Sequence, residues 1–159
     1  MTPVLGTIND REILYLDLHD NPQEFEQMEL NAWVAYVIAD QIDHPLLESF
    51  AEQSIDKNVR YMAATGKAGS QVDDLFDMVM VNRAIEGRKM PDWFRSTDDV
   101  LLTTWHHDRS EGFWFLATTA RYENIPIHMV LVANFTGTSL LEEFQNLTHK
   151  IRAGWLPGG

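Results

Sequence analysis

Four apolar runs, residues 33–39, 59–65, 100–106 and 127–133, are each followed by a stretch whose apolar positions recur at helical spacing. Nearly uncharged runs alternating with helical patterns are the signature of parallel strands joined by crossover helices, because such strands are covered on both faces. A shorter run at residues 13–18 carries Asp17 and precedes Pro22, which suits a first helical turn with Phe25 and Met28 facing inward. The alternation predicts one α/β domain over residues 1–159. Its expected form is a three-layer, doubly wound, mostly parallel sheet of about five strands, flavodoxin-like or Rossmann-like, with the strand order open.

The helices are legible from their stripes. Leu46, Leu47, Phe50, Ala51 and Ile55 follow Pro45, and Lys57 with Asn58 suits the end of that helix. Val72, Leu75, Phe76, Val79 and Arg83 fall at i, i+3, i+4, i+7 and i+11, which predicts an amphipathic helix started by Ser70 and Asp73. Ser110 is the expected cap of a helix running to about Tyr122, and Ser139 the cap of a last helix carrying Leu140, Leu141, Phe144, Leu147 and Ile151. Residues 86–99 have no period. A connection of that length is functional, loosely ordered, or tacked onto the domain, here by Trp93 and Phe94.

The run at residues 100–106 reads as a strand buried on both faces, and it ends in Trp105, His106, His107 and Asp108. Open parallel sheets bind ligands at the carboxyl ends of their strands. If the strands are parallel, Asp40, Asp43, His44, Gly66, His106, His107, Asp108 and Asn134 share one rim. The ligand-binding candidates are therefore Asp40, Asp43, Trp105, His106, His107, Asp108 and Asn134. Two imidazoles and two or three carboxylates form a donor set for a divalent cation, with Asp40, His106 and Asp108 as candidate ligands and metal-assisted hydrolysis as the chemistry. Against this, adjacent histidines on an extended chain point to opposite sides, and no His-Glu-x-x-His spacing occurs. Histidines at a strand end also serve simply to bond loop carbonyls.

Other motifs are incomplete. Gly66-Lys67-Ala68-Gly69-Ser70 lies between a strand and a helix, but its Lys does not follow the second Gly as a phosphate-binding loop requires, so a tight turn accounts for it. No Gly-x-Ser-x-Gly elbow is present. The tail Gly158-Gly159 resembles that of ubiquitin-like modifiers, yet the rest of the chain does not read as their fold, and a flexible end suffices.

Twenty-four acids against 12 bases give a formal charge of −12, which repels phosphate backbones and anionic lipid and attracts a basic protein. Only Arg83, Arg88 and Lys89 approach a basic patch. Asp73, Asp74 and Asp77 suit the positive end of a helix dipole, and with Trp93 they are the candidate partner surface. Apolar residues make up 45% of the chain, enough to exclude global disorder. The chain has no cysteine, no run long enough to span a membrane and no basic, apolar leader, so the expected location is the cytoplasm.

Thr103-Thr104-Trp105-His106, the Phe113-Trp114-Phe115 helix start and Arg60-Tyr61-Met62 followed by Gly66 resemble an uncharacterised family of small bacterial α/β domains. The resemblance covers about residues 33–134. It implies a fold and a bacterial source, and no catalytic role comes with it. Two readings follow from the sequence. The first is a non-enzymatic, immunity-type or regulatory module that binds a basic protein. The alternative is a metal-assisted hydrolase with its site on the rim, the one reading that calls for a cofactor, a divalent metal.

Overall fold

A computed structural model describes residues 2–96, 99–121 and 124–158; the side chain of His44 lies outside the described residues. In chain order the elements are β1 (Val4–Ile8), β2 (Arg11–Asp17), α1 (Pro22–Gln27), β3 (Trp33–Ile38), α2 (His44–Asp56), β4 (Tyr61–Thr65), α3 (Gly69–Glu86), β5 (Leu102–His106), α4 (Arg109–Thr118), β6 (Met129–Asn134) and α5 (Leu141–Arg152). They build an α/β fold on one sheet of order β1-β2-β6-β3-β4-β5. Strands β2 to β6 are parallel, and β1 pairs antiparallel with β2.

Among the described residues the sheet has six strands where about five were expected. The additional one, β1, is joined to β2 by Asn9 and Asp10, both with positive φ (48° and 66°), the backbone a two-residue hairpin turn requires. The chain passes from β2 to β3 through the short α1 without the two strands pairing, because β6 returns to lie between them.

Alternate residues of β3 divide the core. Trp33, Ala35 and Val37 pack with Phe25 of α1, Phe50 of α2 and Phe76 of α3. Val34, Tyr36 and Ile38 pack with Phe113 of α4 and Phe144 of α5. Helices thus cover both faces of the sheet, and β3 is buried at every position.

Three expectations are corrected. The run at residues 100–106 is not a strand buried on both faces: among the described residues β5 pairs only with β4, at the sheet's edge, and Trp105 is 42% exposed. Helix α3 is not amphipathic in the expected sense. Val72, Phe76, Val79 and Arg83 are buried as predicted, but Met78, Val81 and Ile85 at i, i+3 and i+7 stand exposed on another side. The caps also differ. Ser70 lies within α3, whereas Asp108, not Ser110, caps α4 by accepting the Glu111 N–H at 3.0 Å. That helix ends at Thr118, short of the expected Tyr122; Tyr122 itself and Gly159 lie outside the described residues.

The 86–99 connection is tacked down. Trp93, only 8% exposed, donates its indole N–H to the Val59 carbonyl at 2.9 Å, and Asp92 bonds Asn58. Thr97 and Asp98 lie outside the described residues.

Candidate functional site

Because β3 to β6 run parallel, Asp40, Gly66, His106 and Asn134 do lie at one end of the sheet. The carboxylates there are engaged with backbone. Asp43 caps α2 through the Leu46 N–H at 3.3 Å, and Asp108 caps α4. Asp40 Oδ1 accepts the Lys67 N–H at 3.1 Å, holding the β4–α3 turn. That turn passes so close to β3 that a Cβ on Gly66, at φ +97°, would lie 2.3 Å from the Ala39 carbonyl oxygen. The glycine serves the close approach of a tight turn.

Asn134 is buried, and its side-chain amide is spent on the fold. Its Nδ2 lies 2.8 Å from Asp17 Oδ1 and 2.7 Å from the Thr138 carbonyl, and its Oδ1 accepts the Thr136 N–H at 3.1 Å. Tyr15 completes the cluster by accepting the Leu140 N–H at 2.7 Å, which fixes the turn between β6 and α5.

The two histidines separate, as extended backbone dictates. His106 turns toward α4, with its ring 5.5 Å from that of Phe115 and Nε2 3.2 Å from Thr104 Oγ1. Burial lowers its pKa below the ordinary value, against an opposing pull from Glu111. His107 is exposed and packs its ring edge-on to Trp105, at 4.6 Å. Trp105 lies on the α3 side of the sheet, its Cβ 3.9 Å from where a Cβ on Gly69 would stand. Asp40, bonded to the turn that leads into α3, and His106, packed on α4, therefore face opposite sides of the sheet. Among the described residues no group of three His, Asp or Glu side chains is placed to hold a metal ion.

The other candidates gather on α3, apart from Trp93, whose burial removes it from any partner surface. Asp74 and Asp77 are exposed and Asp73 half-buried. Burial, and after it the nearby carboxylates of Asp73 and Asp74, raise the pKa of Asp77 against the hydrogen bond from Thr103 Oγ1 at 2.9 Å. Beside them, Ile42, Leu75, Met78 and Val79 line a groove of about 340 Å³ that Glu48 and Asp74 border. The basic triplet is occupied close by. Arg83 is buried against Glu52 (2.6 Å) and Asp56 (2.9 Å), Arg88 pairs with Glu52 at 3.2 Å, and Lys89 bonds the Asp56 carbonyl.

A family model for a domain of unknown function, DUF7684, matches residues 12–151. The chain belongs to this family. A search of curated proteins finds no match. The DUF7684 span runs from β2 into the last turn of α5, so it takes in the whole strand-end rim, α3 and the groove, and leaves out β1.

In this DUF7684 domain the groove residues Ile42, Glu48 and Met78 were missed from sequence, as were Val81 and Ile85. A signal existed for the helix. Met78, Val81 and Ile85 form a second stripe beside the Val72, Phe76, Val79 stripe, and one sheet face can bury only one of the two.

Proposed function

We propose that the chain is an acidic, non-enzymatic interaction module of immunity or regulatory type that docks a basic protein partner. The observation that carries this reading is the outer side of α3, where Met78, Val81 and Ile85 are 59%, 55% and 79% exposed next to Asp74 and Asp77. Exposed apolar side chains in one patch mark contact surfaces, and a net charge of −12 steers a cationic partner toward them. The engagement of Arg83 and Arg88 with carboxylates weighs against nucleic acid as that partner. The alternative, metal-assisted hydrolysis at Asp40, His106 and Asp108, requires donors that converge. Those of Asp40 and His106 diverge, and Asp108 is committed to its helix cap.

The finer architectural reading is a three-layer doubly wound sandwich, supported by the two core clusters on opposite faces of the sheet. Numbered in chain order, its five parallel strands stand 1-5-2-3-4, an order that differs from both the flavodoxin and the Rossmann arrangement. We place the protein in a bacterial cytoplasm, on the lack of cysteine and the strand-end resemblance. No helix among the described residues is long and apolar enough to cross a membrane.

The test is capture from lysate of the source organism by the tagged full chain and by its Met78→Gln, Ile85→Gln double variant. The expected result is a basic protein retained by the unmodified chain, released by salt and lost with the variant. Retention of nothing that distinguishes the two baits overturns the proposal.

A further inference from the structure

The groove between α2 and α3 has a shape and a charge pattern that specify more than a basic partner in general. From Leu75 through Met78 and Val81 to Ile85 the stripe spans about 15 Å of α3, which is three turns of helix. Its inner end opens into the groove, whose apolar wall of Ile42, Leu75 and Val79 is sized for one or two large side chains. Met78 lies over this opening and is the residue type that reshapes most readily around an apolar guest. The charged residues lining the groove are Glu48 and Asp74, and among the described residues no Lys, Arg or His lines it.

Resting on the reading of the chain as an interaction module, we infer that this groove is the docking site for a short basic amphipathic helix of the partner. Its apolar residues at i, i+3 or i+4 and i+7 lie along the α3 stripe, with one anchor in the groove. Its lysines or arginines sit at the end that meets Glu48 and Asp74. This is the helix-in-groove mode of recognition, with apolar anchors providing contact and carboxylates setting orientation.

A second copy of the chain fits this surface less well. A two-fold axis at Val81 would set Asp77 against Ile85 and oppose Asp74 to Arg88, whose guanidinium already holds Glu52 at 3.2 Å. An extended strand would find its hydrogen bonds elsewhere, on the open edge of β5.

The test uses the isotope-labelled full chain and two synthetic helical peptides of about three turns. Both carry leucines at i, i+3 and i+7; one has lysines at one end and the other has glutamates in their place. The lysine peptide is expected to shift the amide signals of Ile42, Leu75, Met78 and Ile85, and the glutamate peptide to leave them unmoved. Met78→Gln and Asp74→Lys, both at exposed positions, should each weaken binding by about tenfold, with thermal melting showing that the variants remain folded.

Equal binding of both peptides, shifts confined to β5, or self-association through α3 without peptide overturns the inference. The lysate experiment separates the two levels. A basic partner whose capture survives Met78→Gln and Asp74→Lys overturns the groove and leaves the interaction module standing. Absence of any surface-dependent partner removes both.

Discussion

A Cβ placed on Gly112 would lie 2.6 Å from the hydroxyl of Tyr36. That hydroxyl is fixed, since it donates to the Arg109 carbonyl at 2.6 Å and so ties the first turn of α4 to the middle of the sheet. The Cβ and Cγ of His106 close the other side at 3.1 Å. Gly112→Ala should therefore cost about 1–3 kcal/mol by overpacking, read as a lower thermal midpoint. In a Tyr36→Phe background the hydroxyl is gone, and the same substitution should cost less than it does alone. Additive losses in that double-mutant cycle would mean that Tyr36 and Gly112 do not meet as described.

Arg83 joins three segments, donating from α3 to the carboxylates of Glu52 and Asp56 of α2 and to the Lys89 carbonyl of the following connection, at 2.6, 2.9 and 2.9 Å. Its burial acts to lower its pKa, and the hydrogen bonds to Asp56 and Glu52 outweigh that effect and raise it. Arg83→Ala should destabilise the fold by about 2–4 kcal/mol, through the cavity it opens and the carbonyls of Glu52 and Lys89 it strands. Urea unfolding measures this as a lower midpoint. Arg83→Met, which refills the space, should recover part of the loss.

These two contacts show where sequence reading reaches its limit. The stripe that made Arg83 core-facing was visible as a period, and so were the strands, because burial on both faces leaves no room for charge in runs such as residues 33–38. Pairing partners were not visible. Whether an apolar run is central or at an edge depends on strand order, so residues 100–106 looked central and β5 is an edge strand. The rim was legible as a location, since parallel strands bring Asp40, His106 and Asn134 to one end. The occupation of each side chain was not, because a capping Asp and a ligating Asp are the same letter until the neighbouring N–H group is placed. The second apolar stripe of α3 was present in the spacing but overshadowed by the first.

His106 gives the fold a pH dependence of known sign. Burial lowers its pKa, so the folded chain resists protonation where the unfolded chain, at the ordinary histidine value, accepts it. Stability from this residue is complete above the ordinary value and is lost as pH falls through the window between that value and the lowered one. His106→Gln should flatten the acid side of the stability profile below the ordinary histidine value. Glu111, which pulls the pKa upward, should deepen that acid-side loss when changed to Gln. Parallel profiles for the unmodified chain and His106→Gln would show that the imidazole does not titrate differently on folding.

Asp77 has the opposite sign. Its pKa is raised, by burial first and then by Asp73 and Asp74, so its ionised form works against the fold above that pKa, and the penalty fades as pH falls through it. Asp77→Asn removes the charge and keeps the oxygen that accepts from Thr103 Oγ1 at 2.9 Å. Because the group is largely solvated, the gain should stay under about 0.5 kcal/mol. It should appear near neutral pH as a slightly higher thermal midpoint and vanish under acid. The same substitution removes a negative charge next to Met78, so it should also weaken binding of the lysine peptide, most strongly at low salt. A variant that is more stable yet binds less well is the expected outcome for a surface whose charge serves a partner. If Asp77→Asn stabilises the fold and leaves low-salt peptide affinity unchanged, the carboxylate contributes nothing to docking, and the charge steering rests on Glu48 and Asp74 alone.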